Sequence, residues 1–477
     1  MAETPQHIYV GGEWATPREF QATADVINPF DHSTVGRVYL AGEGEVERAI
    51  LSALVGFEKT RALQSYERYD VLSSIAGKIG ERKEEFAQLI TAEVGKPAQA
   101  SLAEVNRAIT TFQLAAEEAR RIGGEVVPLD ITTAGRNRYG VVRRFPLGIV
   151  LGISPFNFPI NLVAHKVAPA IASGNALILK PPPQAPLTSL KLAEIVEASG
   201  YPVEAFSVLP CSNDIAEKLV TDPRIKMLSF TGSAGVGWYL KSKAGKKKVL
   251  LELGGNAGVI IDATADVDDA VKKNLTGSFV YSGQVCIKVQ RIYVHEGVFD
   301  LFKEKFLQGT KAVKTGDPKN SDTLVGPVIN NEAMERILSW IAEARDQGAK
   351  VLAGGGHVGR VIEPTVLVNV PRESKIFCAE VFGPVVTLHK FSSIEEAVAG
   401  VNDSPFGLQA GIFSNDYRNI LYAYNHLDVG AVIVNDTPTF RVDNMPYGGI
   451  KDSGFGREGL RYAIEAMTEP KMLAVGI

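Results

Sequence analysis

The spacing of apolar positions changes along the chain, and the first part has a helical period. A strand pair is predicted at the start, and apolar residues then recur at intervals of three and four along three long segments. This period is typical of amphipathic helices that bury one face. The predicted helices are Val46 to Lys59, Tyr69 to Ala87 and Leu102 to Arg121.

From Gly148 onward, short apolar strands alternate with helical stretches. Alternating strands and helices predict a parallel, doubly wound sheet with helices on both faces. A second series of the same kind begins after the pair Gly254 and Gly255, so we expect two such sheets. The predicted strands are 149–151, 176–179, 206–209 and 227–230 in the first series, and 258–261 and 291–294 in the second, with a helix over 267–279.

Two further segments are strand-like but belong to neither series. Residues 123–141 are rich in β-branched side chains, and the tail at 471–475 is also apolar. Both are predicted to be edge strands that need a partner. The chain shows no internal repeat.

Length, composition and charge narrow the class of protein. With 477 residues, the chain exceeds the roughly 250–300 at which single cores stop growing, so at least two domains are expected. The net charge of −4 provides no positive field for nucleic acid or an acidic membrane, and the run Lys246 to Lys248 is too short to change that. The polar start, Met1 to His7, lacks the apolar core of a signal peptide, and no stretch of about 18 apolar residues occurs. We therefore expect a soluble cytoplasmic protein without nucleic-acid or membrane partners.

The three cysteines are Cys211, Cys286 and Cys378, an odd number without CxxC spacing. This excludes a disulfide framework and a thiolate zinc site, so no metal is expected and a reducing compartment fits best. A free cysteine is usually a small buried hydrophobe, and we keep that interpretation for Cys211 and Cys378. Cys286 follows Gly283, whose lack of bulk would let the backbone approach a ligand closely, so it is the candidate nucleophile.

Two polar residues have settings that suit a partner for this thiol. Glu252 ends an apolar strand beside Gly254 and Gly255, where we expect a tight turn. A glutamate at a strand end is most often exposed and inert, but in a crevice partial desolvation would raise its pKa toward that of a useful base. Asn157 lies between two Phe and two Pro residues, and either caps a turn or donates a hydrogen bond to an oxyanion.

Three other places offer contacts to a phosphate or a nucleotide. Phe230 to Ser233 end a strand and open a helix, so they expose backbone amides and a hydroxyl, although the glycine spacing is not the dinucleotide fingerprint. Lys180 ends another parallel strand, where a nucleotide is met in doubly wound sheets. Lys166 lies on an apolar helix, and such a lysine ordinarily extends its ammonium to solvent.

With Asn157, Lys180, Phe230 to Ser233, Glu252 and Cys286 in this order, the chain resembles the NAD(P)-dependent aldehyde dehydrogenase superfamily. Further matches are 380–384, 405–408 and 446–454, and the likeness covers nearly the whole chain. The look is closest to the lactaldehyde and non-phosphorylating glyceraldehyde-3-phosphate dehydrogenase branches. The implied fold is α/β, with two doubly wound parallel-sheet domains and a small oligomerisation sheet. The implied division is a dinucleotide-binding domain at 1–121 and 142–253, a catalytic domain at 254–464, and oligomerisation strands at 122–141 and 465–477, in a homo-oligomer that is a dimer or tetramer.

The resemblance also implies roles for individual residues. Cys286 is similar to the nucleophile, Glu252 to the base that activates the deacylating water, Asn157 to the oxyanion donor, and Lys166 to a lysine near the proton-release path. Lys180 would contact the adenosine ribose, Ser233 the pyrophosphate, and Glu380 with Phe382 the nicotinamide ribose and ring. The other implied cofactor contacts are Ser154, Pro155, Phe156, Pro183, Phe230, Thr231, Gly232, Leu253 and Gly254.

Two departures from the family pattern bear on the cofactor. NAD-preferring members commonly carry Glu three positions after the lysine, and this chain has Pro183 there. Loss of that carboxylate removes repulsion toward a 2′-phosphate, so NADP or NAD is expected, with NADP favoured. Phe156 stands where Trp is more usual, which we interpret as a conservative exchange.

The expected substrate is an aldehyde, contacted by Phe158, Val285, Ile287, Phe440 and Arg441. Arg441 is either a contact for a polar or anionic tail or a surface ion-pair residue, and the second interpretation is favoured. Val285 replaces an arginine that often precedes the nucleophile in phosphate-binding branches, which disfavours a phosphorylated substrate. A short hydroxyaldehyde or semialdehyde, or a broad aldehyde range, is the prediction.

The predicted reaction oxidises the aldehyde to an acid through a thiohemiacetal and a thioester on Cys286. One alternative is a CoA-acylating dehydrogenase, in which a thiol replaces water. Such relatives generally lack the glutamate found here at Glu252. The other alternative is a catalytically silent protein of the same fold, which the intact Cys286, Glu252 and Asn157 argue against.

Overall fold

The structure is a computed structural model that describes residues 4–18 and 22–477. The polar start predicted from the sequence therefore lies partly outside the described residues, at Met1 to Glu3. Within the described ranges the helices are α1 Glu43–Thr60, α2 Ser65–Glu81, α3 Lys83–Val94, α4 Ala98–Ala119, α5 Asn161–Ala172, α6 Pro186–Glu197, α7 Asn213–Thr221, α8 Ala234–Lys243, α9 Val267–Phe279, α10 Glu296–Ala312, α11 Asn331–Asp346, α12 Lys375–Cys378, α13 Ile394–Asn402, α14 Tyr417–His426 and α15 Leu460–Ala466.

The strands of the same ranges form two large sheets and several small ones. They are β1 Ile8–Val10, β2 Glu13–Ala15, β3 Thr23–Ile27, β4 Thr34–Tyr39, β5 Gly124–Pro128, β6 Arg138–Pro146, β7 Ile149–Ile153, β8 Ala176–Lys180, β9 Phe206–Val208, β10 Ile225–Thr231, β11 Lys248–Glu252, β12 Ala257–Ile261, β13 Val289–His295, β14 Lys350–Ala353, β15 His357–Val358, β16 Val361–Ile362, β17 Thr365–Val368, β18 Val385–Phe391, β19 Phe406–Gly407, β20 Gln409–Phe413, β21 Ala431–Val434, β22 Ile450–Lys451, β23 Gly454–Phe455 and β24 Thr468–Gly476.

The first large sheet has the order β2-β1-β9-β8-β7-β10-β11-β23. Its five central strands, β9 to β11 in this order, are parallel, whereas β1, β2 and β23 pair antiparallel. Strands β7 and β8 are buried along their whole length because helices cover both faces. This confirms the predicted doubly wound sheet.

The second large sheet has the order β14-β17-β18-β13-β12-β20-β21, and only β14 pairs antiparallel. Its own buried core includes Val259, Ile292 and Phe413. Several helices of the chain begin at a side chain that accepts a hydrogen bond from the first turn, for example Asp266 before α9 and Asn330 before α11.

A third, three-stranded antiparallel sheet joins β24, β6 and β5. The two strand-like segments at 123–141 and 471–475 therefore pair with each other, and β6 continues to Pro146. Strand β23 adds to the first sheet although it falls within 254–464. The domain boundaries given above remain a prediction.

One predicted helix is wrong in its extent. The segment Tyr69 to Ala87 is not continuous, because α2 ends at Glu81 and α3 begins at Lys83. The backbone of Arg82 leaves the helical region, with φ −108° and ψ 18°. Buried residues such as Ile79 and Phe86 lie on both sides of the break, so the apolar period runs on across it. In the parts of the chain that are described, no helix has the length and apolar character needed to span a membrane.

Candidate active site

The first sheet presents a crevice where its winding reverses. The parallel strands follow the order β9-β8-β7-β10-β11, so the connections leave β7 and β10 in opposite directions. Ligands of doubly wound sheets bind at the carboxyl ends of the strands at such a point. Ser154 to Asn157 follow β7, Gly232 and Ser233 follow β10, and Glu252 is the last residue of β11.

Asn157 lies at this crevice with its side chain buried. Its Nδ2 donates a hydrogen bond of 3.0 Å to the carbonyl oxygen of Gln284, two residues before Cys286. Its Oδ1 is buried without a partner. The amide is thus held beside the nucleophile, with a second N–H left to donate.

The loop before Cys286 has an unusual backbone. Tyr281, Ser282 and Gly283 all have left-handed φ values of 53°, 57° and 67°. Such a conformation costs roughly 1–3 kcal/mol at each non-glycine residue and persists only where the surroundings enforce it. Here the Ser282 hydroxyl donates to the Gly326 carbonyl at 2.7 Å, and the Gln284 amide donates to the Pro327 carbonyl at 3.3 Å.

The structure gives a different reason for a glycine at position 283 from the one predicted. We expected its small size to admit a ligand, but a Cβ there would lie 2.3 Å from the carbonyl oxygen of Gly383. The close neighbour is therefore a backbone segment of the chain itself. Sequence spacing does not reveal which partner a glycine faces, and the approach of a ligand to Gly283 stays a prediction.

Cys286 is half-buried in the described structure. Its Sγ lies 3.1 Å from the Tyr447 hydroxyl. Burial raises the pKa of the thiol to about 11, and the hydrogen bond from Tyr447 acts in the opposite direction. The resting group is a thiol with a hydroxyl positioned to donate to the thiolate.

A buried lysine links the Asn157 loop to the nucleophile loop. The Lys96 ammonium lies 3.7 Å from the ring centre of Phe158 and 4.6 Å from that of Tyr281. It also forms an ion pair with Glu104, which accepts hydrogen bonds from the backbone amides of Ile160 and Asn161. The Lys96 ammonium therefore contacts both loops, through cation–π contacts with their aromatic rings and through its ion pair with Glu104.

Glu252 is buried, and neither of its carboxylate oxygens has a hydrogen-bond partner. Burial, followed by the nearby Glu458 carboxylate, raises its pKa well above the usual range, in the direction predicted. Gly254 and Gly255, which follow it, do not have left-handed backbone angles. They lack a side chain because other groups of the protein lie too close for one. A Cβ on Gly254 would lie 2.3 Å from Glu380 Oε2, and one on Gly255 would lie 2.3 Å from the Cys286 carbonyl oxygen.

Lys166 does not reach solvent, so that interpretation was wrong. Its side chain is fully buried, donates to Thr231 Oγ1 at 2.7 Å and lies 3.5 Å from Glu458 Oε1. Burial lowers its pKa, whereas the carboxylates of Glu458 and Glu252 act to raise it. The helix that carries it is buried throughout because it packs against strands β7 and β8 and helices α2, α4 and α15.

Arg441 is not a surface ion-pair residue, which corrects the favoured interpretation. Its side chain is 5% exposed, donates to Glu458 Oε2 at 3.1 Å and contacts His165 Nε2 at 3.1 Å. Its guanidinium carbon lies 3.6 Å from the ring centre of Tyr447. The loop places the arginine inward because Glu458 offers a buried carboxylate to pair with.

A cavity of about 430 Å³ opens between the two large sheets. Most of the predicted catalytic and cofactor residues line it together. These are Pro155, Phe156, Asn157, Thr231, Gly232, Ser233, Glu252, Leu253, Gly254, Cys286, Glu380 and Phe382.

The cavity residues fit a nicotinamide dinucleotide. Ser233 begins α8 without using its side chain as a cap, so its hydroxyl and the first-turn amides are free for a pyrophosphate. The Ser154 hydroxyl is buried without a partner beside this place. The half-buried Glu380 accepts only the Gly255 amide, at 2.9 Å, which leaves an oxygen for ribose hydroxyls. Phe382 meets Phe156 edge to face, with ring centres 6.1 Å apart.

The remaining predicted residues lie around the cavity rather than on its wall. Lys180 ends β8 and is buried, and burial lowers its pKa. Pro183 is exposed in the following turn. Phe230 is buried with its ring under Gly232, and Phe440 is 46% exposed. Phe158 is half-buried, while Val285 and Ile287 are buried on either side of the nucleophile.

Sequence reasoning missed several residues of the site. Leu162, Arg336 and Trp340 line the cavity, and the guanidinium of Arg336 lies 4.8 Å from the Trp340 ring centre. Nothing in the amphipathic pattern of α11 marks these two positions. Glu458 and Tyr447 lie in or just after the matched stretch 446–454, so that motif was the available signal.

Comparisons with known proteins agree with this geometry. The sequence model described as aldehyde dehydrogenase family matches residues 14–473. The 3-sulfolactaldehyde dehydrogenase of Priestia aryabhattai is 42% identical over 471 residues, 98% of this chain and 98% of that protein.

Two solved structures are also similar. One is aldehyde dehydrogenase 21 from Physcomitrella patens in complex with the reaction product succinate, with TM-score 0.97 and 43% identity, covering 100% of this chain and 99% of that chain. The other is glyceraldehyde-3-phosphate dehydrogenase GapN from Methanocaldococcus jannaschii complexed with NADP, with TM-score 0.92 and 38% identity, covering 96% of this chain and 100% of that chain. The predicted fold and resemblance are confirmed.

Proposed function

The chain belongs to the aldehyde dehydrogenase family, and from that premise we propose that it oxidises a short aldehyde with an anionic or hydroxylated tail to the carboxylic acid. NADP or NAD is the oxidant. The observation that carries the proposal is the approach of three groups from distant segments. The Asn157 amide contacts the loop of Cys286, and Glu252 lines the same cavity with both oxygens free.

Cys286 first loses its thiol proton to water, and the thiolate then attacks the aldehyde carbon, which forms a C–S bond and places negative charge on the carbonyl oxygen. The free N–H of Asn157 and a backbone amide of the nucleophile loop donate to this oxygen, each contributing on the order of 3 kcal/mol. The Tyr447 hydroxyl, 3.1 Å from the sulfur, stabilises the thiolate before attack.

A nicotinamide dinucleotide held by Ser233, Glu380 and Phe382 would supply the oxidant for removal of a hydride from the former aldehyde carbon. The carbon is then held on Cys286 as a thioester. Glu252 removes a proton from water, whose oxygen attacks the thioester carbon and displaces the sulfur as the acid leaves. In sum, the aldehyde, water and the oxidised cofactor yield the acid, the reduced cofactor and a proton.

The raised pKa of Glu252 suits this role. A carboxylate with no partner and with its proton affinity raised is a stronger base than an exposed glutamate. The adjacent Lys166 and Glu458 are charged groups through which we propose that the proton leaves.

Positively charged and polar groups near Cys286 support an anionic tail. Arg441 stacks on Tyr447, His165 lies 3.1 Å from Arg441, and Arg107 lies on the other side of His165 through Asp443. The relatives named for 3-sulfolactaldehyde and crystallised with succinate act on or release compounds with a sulfonate or a carboxylate. Val285 brings no charge to the place beside the sulfur where a phosphate would need one.

We propose NADP over NAD because Pro183 follows Lys180 where a glutamate would repel a 2′-phosphate. Pro183 is exposed in that turn, so the position is open to a substituted side chain. Pro183→Glu should lower kcat/KM for NADP relative to NAD by about tenfold, the scale of one charged contact. An unchanged ratio would show that this turn does not distinguish the 2′-phosphate of NADP from the 2′-hydroxyl of NAD.

We propose that the enzyme is a cytoplasmic homo-oligomer, a tetramer or a dimer. The described cysteines are free thiols, as is usual for proteins of a reducing compartment. The small sheet exposes apolar side chains, including Val126 at 72% and Leu473 at 62%, that a second copy would cover. Sedimentation velocity of the purified protein measures the state.

The direct test mixes the purified protein with NADP or NAD and a panel of aldehydes, with and without CoA, and follows the reduced nicotinamide. We expect oxidation of aldehydes with a carboxylate, sulfonate or hydroxyl group, independent of CoA. Strict dependence on CoA would indicate acyl transfer to a thiol instead of water.

A further inference from the structure

Four charged or titratable side chains meet behind Tyr447, and none of them lines the cofactor cavity. We call them the Asp443 cluster: Asp443, Arg107 from α4, His165 from α5, and Arg441. Arg107 Nη2 lies 2.6 Å and His165 Nε2 lies 2.9 Å from Asp443 Oδ1, while Arg441 Nε lies 3.9 Å from the same oxygen. The side chains of His165, Asp443 and Arg441 are 0%, 4% and 5% exposed.

The cluster begins one aromatic ring away from the reactive sulfur. Tyr447 contacts Cys286 Sγ with its hydroxyl and carries the Arg441 guanidinium on its ring face. A substrate tail of a few carbons that extends past the Tyr447 ring from the sulfur would reach this cluster. Arg107, at 31% exposure, marks the side that faces solvent.

Asp443 already makes the contacts that an anionic tail would need. Its carboxylate accepts from Arg107 through both oxygens, with Nε 3.3 Å from Oδ2, and also meets His165. Burial acts to raise the pKa of Asp443, but the hydrogen bonds of His165 and Arg107 outweigh it and keep the pKa below the usual range. Asp443 is therefore an ionised carboxylate that lies beside the cationic side chains of Arg107 and Arg441.

The cluster also has unused polar atoms. His165 Nδ1 and Arg441 Nε are buried without hydrogen-bond partners. Buried polar groups are usually paired, and unpaired ones in a site call for an explanation. An anionic group that enters the cluster would find a free donor at Arg441 Nε, whereas His165 donates to Asp443 through Nε2 and its Nδ1 is an acceptor.

We propose that Asp443 is a specificity-determining residue that competes with the anionic tail of the substrate for Arg107, His165 and Arg441. The competition limits the preference of the enzyme for anionic over neutral aldehydes. This inference rests on the proposed function, because it assumes that the substrate tail lies on this side of Cys286.

The test compares Asp443→Asn with the wild type on two aldehydes of equal chain length, 4-oxobutanoate and butanal, in the full-length enzyme with saturating NADP. Asparagine keeps the size of the side chain and removes its charge. We expect the ratio of kcat/KM for the anionic to the neutral aldehyde to rise about tenfold, mainly through a lower KM for 4-oxobutanoate. An unchanged or lower ratio would overturn the proposal.

The matched control is Asp428→Asn, which removes an exposed carboxylate paired with Lys451 at 3.7 Å. Its ratio should equal that of the wild type. If Asp443→Asn does not fold, the double variant Arg107→Gln with Asp443→Asn removes one charge of each sign and conserves the net charge. Its ratio should exceed that of the single variant Arg107→Gln, and an equal or lower ratio would overturn the proposal.

The same data separate this inference from the proposed function. A wild-type enzyme that oxidises neither aldehyde contradicts the proposed function itself. A wild-type enzyme that oxidises both, with a ratio that Asp443→Asn does not raise, contradicts only the role of Asp443.

Discussion

The two large sheets contribute to the active site from opposite ends of their strands. The first sheet supplies Asn157, Ser233 and Glu252 at or after the carboxyl ends of β7, β10 and β11. The second sheet supplies Cys286 before the start of β13 and Glu380 before the start of β18. The chain passes from one edge to the other through Leu253 to Asn256, between β11 and β12.

The two sheets differ in the roles of the residues that they supply as well as in where those residues lie. The first sheet obeys the rule that ligands bind at the carboxyl ends of parallel strands, so its residues can be anticipated from a strand pattern. The second sheet brings its nucleophile on a loop with three left-handed residues, which no strand pattern indicates. In the proposed mechanism, the residue that bonds the substrate comes from the second sheet, whereas the groups that stabilise charge and activate water come from the first.

The largest effect should follow from a change on the second-sheet side. Cys286→Ala removes the sulfur that forms the covalent bond, so kcat should fall on the order of 10⁴-fold or more. Binding of NADP, measured by fluorescence quenching, should remain. Cys378→Ala is the matched control, since Cys378 does not line the cavity and its half-buried sulfur donates to the Glu373 carbonyl at 3.8 Å. Appreciable turnover by Cys286→Ala would place the chemistry elsewhere.

A smaller loss should follow from Asn157→Ala on the first-sheet side. Removal of one oxyanion donor lowers kcat about 10²–10³-fold in comparable sites. Because this donor acts in the transition state, KM should change much less than kcat. A variant that changes only KM would mean that Asn157 binds the substrate without stabilising the oxyanion.

The smallest effect on kcat should come from Lys96→Met, which changes the contact between the loop that follows β7 and the loop that precedes Cys286. Loss of the ammonium leaves Glu104 as an unpaired buried carboxylate, which should lower the free energy of unfolding by about 3–5 kcal/mol. The kcat of the folded fraction should fall less than in the two variants above.

Lys59→Met is the matched control for Lys96→Met, because it breaks an ion pair with Glu204 in which the lysine side chain is 51% exposed. Its cost should stay below about 1 kcal/mol. Chemical denaturation of both variants measures the difference. Equal costs would contradict a role for the buried pair.

The two large sheets and three residues of the site could be predicted from the sequence, because each is marked by a short local pattern. Cys286, Glu252 and Asn157 each lie in a short stretch whose neighbours restrict its shape, and alternating strands and helices predict the sheets. The break at Arg82 was not predictable, because buried residues continue on both sides of it.

The pairing of charges was also beyond the sequence. Arg107 and Asp443 meet across 336 positions, and the buried Arg441 is paired with Glu458. Lys166 is buried and paired with the same carboxylate. An isolated charge on a sequence is more often exposed, and only the tertiary structure shows which carboxylate compensates its burial.

The central claim is that a sulfur from the second sheet and a carboxylate from the first act in turn on one carbon atom. The most direct measurement is the intact mass of Glu252→Gln after brief reaction with NADP and 4-oxobutanoate. The account predicts one equivalent of reduced cofactor in a burst, a mass increase equal to the acyl group, and its location on the peptide that contains Cys286. Full turnover by Glu252→Gln, or a burst without acylated Cys286, would contradict it.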